Sequence, residues 1–443
     1  MKSECGKKVK LSELITIKHG YAFKGSSMVD YPTSEILVTP GNFAIGGGFK
    51  SSKLKFHSGD IPEGYQLSPG QLVVTMTDLS KDSDTLGYSA LIPDDGFTYL
   101  HNQRIGLVDI KDEKQIDKLF LYFLMRTPSY RHEVLASSTG TSVKHTSPTK
   151  IMDYAVNLPP INIQKKIAGY LYDLELKINN NKAMNQTLEK LAQRIFKSWF
   201  IDFDPVKANK EGLPFDGLSP EIQALFPSEF EDSELGMIPK GWEVTPLSKV
   251  VKLTGGGTPK RSEPSYWNGE IPWFSMKDAP ENGEVFVIDT EEKITELGLQ
   301  KSSTKLLPRG TTIITARGTV GKLALVATDM CMNQSCYGVR GTEVGDYFNY
   351  FNLKQAISTL KQNVHGAVFD TITTNTFDTY SFAFSGSEIA NAYNELIAPL
   401  LEKSEINARQ NITLTRLRDR LLPKLVSGQI SVGEVAQELA EAV

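Results

Sequence analysis

A chain of 443 residues exceeds what one compact core usually holds, so two or three domains are expected. Its 40% hydrophobic and 23% charged content excludes disordered and fibrous classes, and a net charge of −4 excludes a protein coated all over in positive charge for nucleic acid. No apolar run approaches the length that crosses a bilayer, and the odd, sparse set Cys5, Cys331 and Cys336 fits neither a disulfide framework nor zinc-site spacing, which implies a soluble cytoplasmic protein without a metal site.

The sequence repeats itself after about half its length. Leu11–Gly20 (LSELITIKHG) lines up with Leu247–Gly256 (LSKVVKLTGG), each an apolar run that ends in glycine. Pro69–Thr77 (PGQLVVTMT) answers Pro308–Arg317 (PRGTTIITAR), each a turn followed by a β-branched strand. Gly87–Ile92 then matches Gly321–Val326, and Asn102-Gln103 matches Asn333-Gln334. Four pairs in one order predict a duplicated domain of mixed α/β (α+β) class.

Each half ends in a heptad pattern. The first seam runs Ile167, Leu171, Leu174, Ile178, Asn181, Asn185, Leu188, Ala192 and Ile195. The second runs Ile389, Tyr393, Leu396, Leu400, Lys403, Asn407, Gln410, Leu414, Leu417 and Leu421, with Pro399 expected to kink it unless the helix starts there. Both seams are apolar at the ends and polar in the middle. They predict two antiparallel helices forming a coiled-coil spacer, with Asn181, Asn185, Lys403, Asn407 and Gln410 setting register. A helix of about 35 residues rises roughly 50 Å, which would separate the two similar globular domains. Residues 201–240 carry nine acidic and three basic residues among Pro and Gly, and read as a linker or extended strap.

Catalytic motifs are not evident. Gly46–Gly48 and Gly255–Gly257 match neither a Walker loop nor a dinucleotide fingerprint and read as turn glycines. Asn157-Leu158-Pro159-Pro160 differs from the base-holding motif of amino-methyltransferases by an extra leucine and reads as a helix start. Asp289, Glu291 and Lys293 imitate nuclease spacing only loosely, and no nucleophile elbow is present.

Four segments resemble the specificity subunits of type I restriction-modification systems. The run Leu417–Val432 (LRDRLLPKLVSGQISV) resembles their closing signature, and Leu158–Leu171 (LPPINIQKKIAGYL) their entrance to the first conserved helix. Phe196–Pro205 with Leu235–Leu247 resembles their central conserved region, and Leu253–Pro259 (LTGGGTP) the loop that opens a target-recognition domain. The segment Ser385–Ile389 lacks the Leu-Pro-Pro expected before a second helix, and Lys18–Gly20 replaces a Ser-Gly-Gly-Thr-Pro type loop in the first domain.

The resemblance implies target-recognition domains at residues 1–158 and 241–386. Spacer helices are implied at 159–200 and within 387–443, and a central region at 201–240. Each domain would read one half of a bipartite asymmetric site on double-stranded DNA. Two methyltransferase subunits carrying S-adenosylmethionine would dock on the chain, and restriction subunits would use ATP and Mg, with no cofactor in this chain. Two alternatives remain open: a bivalent scaffold of another DNA-defence complex without sequence readout, and a self-contained DNA methyltransferase. By residue type and place, the DNA-contacting candidates are Lys24, Lys81, Gln103, Arg104, Lys144 and His145 in the first domain. In the second they are Lys260, Arg261, Lys277, Arg317, Lys322 and Gln334. Asn102 and Asn333 are expected to tie down turns, and Trp242, Trp267 and Trp273 to pack.

Overall fold

The computed structural model describes residues 7–51, 53–80, 83–141, 143–281, 283–363 and 371–434. The chain forms two compact units, Met1–Leu176 with Leu414–Val443, and Lys177–Thr413. Both divisions fall inside long helices, Ile161–Phe200 and Ser387–Val426, so each unit holds one mixed α/β domain and a part of each helix.

In the first unit, strand Lys7–Lys10 pairs antiparallel with Ala155–Leu158 at the opposite end of the domain sequence. Between them, strands Ile15–His19, Ile105–Ile110, Leu72–Thr75 and Ser89–Leu91 lie side by side in that order, all antiparallel. All four residues of Leu72–Thr75 are buried, which is why that segment reads as an unbroken apolar and β-branched run rather than an alternation. A second sheet of five short strands packs Ile36, Leu67 and Tyr99 into the same core.

The second unit repeats the plan. Glu243–Pro246 pairs with Ser381–Phe384, and Val251–Gly255, Cys336–Gly341, Thr312–Thr315 and Leu323–Val326 follow one another in the same spatial order. Phe286–Val287 adds a fifth, parallel strand.

Residues 201–240 are more ordered than a linker. They contain helices Asp204–Glu211 and Pro220–Gln223 and a hairpin of Phe230–Ser233 with Gly236–Pro239. Val206, Phe226 and Ile238 enter one core with Phe196, Trp199, Phe200, Phe348 and Tyr393. Three anchors so far apart in sequence produce no periodicity, so the region looks structureless when read alone.

The first helical seam is buried at Ile167, Leu171, Leu174, Ile178, Asn181, Asn185 and Ala192, while Glu189 and Phe196 displace Leu188 and Ile195 from its centre. The second is corrected by one position in its middle. Tyr393, Ile397, Leu401, Ser404, Asn407, Asn411 and Leu414 are buried, Leu396 and Leu400 are half-buried, and Lys403 is exposed and takes no part in the seam. The apolar run Leu396-Ile397 and Leu400-Leu401 satisfies either phase, so hydrophobicity does not select one. The helix passes through Pro399 without ending, and that residue faces solvent.

In the second unit Asn181 donates through Nδ2 to Gln410 Oε1 and Asn411 Oδ1, both at 2.9 Å. Asn407 Nδ2 donates to Asn185 Oδ1 at 2.9 Å, and Asn185 Nδ2 to the Ser404 carbonyl at 3.1 Å. Asn407 Oδ1 and Ser404 Oγ are buried without a partner. A core layer that leaves such atoms unpaired costs stability and rewards one alignment of the helices over its neighbours.

Glutamates with little exposure fasten each domain to its helical part, Glu175 half-buried and Glu189 and Glu405 buried. In the first unit Glu175 accepts from Arg126 Nη1 at 2.5 Å, Tyr122 Oη at 2.9 Å and Arg418 Nη1 at 3.3 Å. Arg126 also donates through Nε to the Gly46 carbonyl at 2.7 Å and stacks over Tyr122. In the second unit Glu189 pairs with Lys354, and Glu405 accepts from Arg309 at 2.7 Å and Arg409 at 2.9 Å.

Candidate nucleic-acid interface

One end of each four-strand set gathers the polar candidates. In the first domain the chain leaves strand Ile15–His19 at Gly20, whose amide donates to the Ile105 carbonyl at 3.3 Å. Tyr21 N donates to His101 O at 2.8 Å, and Gln103 N returns a bond to Tyr21 O at 2.9 Å. Asn102 Oδ1 accepts from Arg104 N at 3.0 Å, closing the turn. Met76 N then donates to Arg104 O, and Thr146 N to Met76 O, each at 2.9 Å. Strand end, turn and the segment carrying Lys144 and His145 are thereby joined edge to edge.

The second domain reproduces this network. Gly256 N donates to Cys336 O at 3.3 Å, and Gly257 N to Met332 O at 3.0 Å. Asn333 Oδ1 accepts from Ser335 N at 2.9 Å. Ala316 N donates to Ser335 O at 2.8 Å, and Ile372 N to Ala316 O at 3.0 Å. The glycines are required by close approach. A Cβ at Gly20 would stand 2.1 Å from Asn102 O, and one at Gly256 would stand 1.9 Å from Asn333 O. Asn102 and Asn333 hold their turns as expected, which leaves Gln103 and Gln334 exposed at equivalent tips.

The other candidates distribute around these tips. Arg104 is exposed beside Gln103, and Lys24 lies exposed on the segment that continues from Tyr21. Lys144 pairs in register with Asp78 and His145 with Thr77, whose hydroxyl lies 3.1 Å from the His145 Nδ1. Lys81 lies outside the described residues. In the second domain Lys260, Arg317 and Lys322 are exposed, and Arg317 bridges to Thr371. The Thr315 amide donates to Lys322 O at 3.0 Å, which sets Lys322 at the same strand end.

Three candidates of the second domain already have side-chain partners, Gln334 among them, its amide oxygen accepting from the Thr258 hydroxyl. Arg261 donates to both carboxylate oxygens of Glu292 and stacks 3.9 Å over Trp267, so it pins its loop. Trp267 Nε1 and Trp273 Nε1 donate to the carbonyls of Lys260 and Gly257, at 3.3 and 3.0 Å, fixing the same loop from beneath. Lys277 pairs with Glu291 at 3.6 Å on the surface, a weak contact that phosphate would displace.

Sequence reading missed Asp78. Its buried carboxylate accepts from Ser80 N at 2.6 Å, Thr85 N at 2.5 Å, Thr85 Oγ1 at 2.8 Å and Leu86 N at 2.9 Å, and so shapes the loop that carries Ser83. Burial pushes its pKa up, but the bonds from Ser80 and Thr85 outweigh that and hold it below the usual value. An Asp followed by Ser and Thr is a loop signature, though its four-fold satisfaction is a product of the fold. Among the described residues, no group of three or more His, Cys, Asp or Glu side chains is placed to hold a metal ion.

Two stretches of the chain, residues 6–190 and 239–416, each match the type I restriction modification DNA specificity domain. The chain belongs to that family. The type I restriction enzyme HindI specificity subunit of Haemophilus influenzae is 28% identical over 357 residues, covering 70% of this chain and 77% of that one. The MjaIX specificity subunit of Methanocaldococcus jannaschii is 27% identical over 332 residues, covering 71% and 70%. The crystal structure of the S subunit from M. genitalium shares the fold, with a TM-score of 0.56 over 95% of each chain at 14% identity. As a type I specificity subunit, the chain serves DNA sequence recognition through its two specificity domains. Among the described residues no helix is long and apolar enough to cross a membrane.

Proposed function

We propose that each specificity domain reads one half of a bipartite, asymmetric DNA site with the sheet end that carries its Asn-Gln turn. The observation that carries this is the duplicated turn, held by matching bonds at the glycine, the residue after it and the Asn side chain in both domains and exposed at Gln103 and Gln334. A glutamine amide offers a donor and an acceptor that match an adenine edge in the major groove, at Gln334 by exchange of the bond its oxygen accepts from the Thr258 hydroxyl. Lys24, Arg104, Lys144, His145, Lys260, Arg317 and Lys322 supply phosphate or guanine contacts around it, while Arg261 and Lys277 act first on the shape of their loops.

The spacer helices fix the gap between half-sites, and two domains on one chain gain by effective concentration over either alone. The polar layer of Asn181, Asn185, Asn407 and Gln410 holds the register of that spacer. Two methyltransferase subunits binding S-adenosylmethionine dock on the chain and perform adenine methylation, and restriction subunits, where present, supply ATP-dependent cleavage. The chain itself recognises and does not catalyse.

The test is methylome sequencing of cells that express this chain with its modification subunit, compared with the modification subunit alone. A bipartite methyl-adenine motif present only with the chain is expected. A stable complex that yields no new motif would instead support the scaffold reading.

A further inference from the structure

The two reading ends share their backbone but not their side chains. Tyr21 in the first domain occupies the place of Gly257 in the second, since each amide bonds the carbonyl just before the Asn of the turn. Gly257 cannot carry a side chain, because its Cβ would lie 2.4 Å from Ser303 Oγ and Thr304 N. Tyr21 is 39% exposed, outside the domain core, and its carbonyl holds the Gln103 backbone amide. Its ring is fixed from the side, 5.2 Å from Phe23 edge-on and 5.3 Å from Tyr65. Tyr65 in turn lies under the Lys18 ammonium at 4.7 Å, and Phe23 rests edge-on against buried His57 at 5.2 Å.

We infer that Tyr21 is a specificity-determining residue for one half-site only, placing its ring against the base pair next to the one that Gln103 reads. The inference rests on the proposed reading of DNA by the sheet ends. A ring propped by two aromatic neighbours loses little conformational freedom on binding, and it presents apolar surface to a base edge or thymine methyl. Lys18 and Lys24, exposed on the same segment, suit the flanking phosphates. Gly257 can make no equivalent contact in the second domain, so this place in the turn contributes to one half-site only.

The experiment is methylome sequencing of the complete complex with Tyr21→Ala and Tyr21→Phe, against the unsubstituted chain. With Tyr21→Ala, one position in one half-site should become degenerate, with discrimination there falling roughly 5- to 100-fold, as for loss of a single base contact. Tyr21→Phe, which keeps the ring, should regain most of that discrimination. An unaltered motif, or a uniform fall in methylation at every site without any change of base preference, would overturn the inference, the latter by showing that Tyr21 only supports the fold. Absence of any motif with the unsubstituted chain would count against the proposed function instead, so the two failures are distinguishable.

Discussion

Glu175→Ala should be among the most damaging single substitutions in the first unit. Its carboxylate is 12% exposed and the Arg126 side chain 2%, so removing it strands one deeply buried guanidinium and leaves the Tyr122 hydroxyl without its acceptor. Breaking a buried ion pair by deleting one partner costs about 3–5 kcal/mol, against about 0–1 kcal/mol for a surface pair. Arg418 also loses its bond, but it is joined to Asp419 and keeps a partner. A net loss of about 3–5 kcal/mol is therefore expected, a large share of the stability of a domain this size. Glu175→Gln should cost less, because its amide oxygen still accepts from Tyr122. The readout must be chosen with care: Trp199, Trp242, Trp267 and Trp273, the four tryptophans of the chain, all lie in the second unit. Tryptophan fluorescence should accordingly be blind to the change, while hydrogen exchange of strand Leu72–Thr75 and helix Lys118–Leu124 should accelerate. A change under about 1 kcal/mol in the exchange of these segments would refute the argument that this is a buried, domain-fastening pair.

Other outcomes are as specific. Replacing Asn185 and Asn407 together by leucine should stabilise the second unit in guanidinium titrations followed by tryptophan fluorescence, since it removes the partnerless Asn407 Oδ1, while blurring the gap between half-sites in the methylome. Gln103→Ala and Gln334→Ala should each relax one position in opposite half-sites, by about 1–3 kcal/mol of discrimination. Gly20→Ala and Gly256→Ala should each weaken methylation by displacing the turn, read as a fall in fractional modification at all sites. The Asp78 pKa is depressed in the folded chain, so its contribution is full above the unfolded value near 3.8 and is lost as pH falls through the lower folded value. Pepsin should therefore cut the segment from Ser83 to Leu86 only toward the acid end of a titration from pH about 5 to about 3, and Asp78→Ala should make it cleavable throughout.

The duplication was legible because its signals are local. Leu11–Gly20 and Leu247–Gly256 each form a short helix, a strand and the same crowded glycine, so the constraint is written into neighbouring residues. Most of the first helical seam was legible for the same reason: Ile167, Leu171, Leu174 and Ile178 recur at heptad spacing and are all buried. Lys403 was misplaced because leucines and isoleucine on both sides of Pro399 fit two phases, and only the facing side chains choose Ser404. The long-range charge pairs were not legible. Glu175 meets Arg126 across 49 residues and Arg418 across 243, and on the surface Arg261 meets Glu292 across 31, pairings that no spacing rule connects. Gln164 is a similar case. It is fully buried and ties the start of the first long helix to the chain at Gln115 and Asp117, so a motif recognised by likeness acquires a structural reason.

The strands that close each domain have a consequence of another kind. Lys7–Lys10 runs beside Ala155–Leu158, and Glu243–Pro246 beside Ser381–Phe384, in each case through four registered pairs. Leu11 N bonds Tyr154 O at 2.9 Å, and Leu247 N bonds Tyr380 O at 2.8 Å, at the same place in both. The chain thus comes in and goes out through one doorway. Everything beyond it forms a cassette joined to its helical part by that short ladder, by glutamate fastenings and, in the second unit, by a shared apolar core. A foreign cassette that keeps the same doorway and the residues that face the helices could be spliced in without rewriting them, which makes new combinations of half-sites reachable by a single exchange of coding sequence rather than by gradual change within a reading surface.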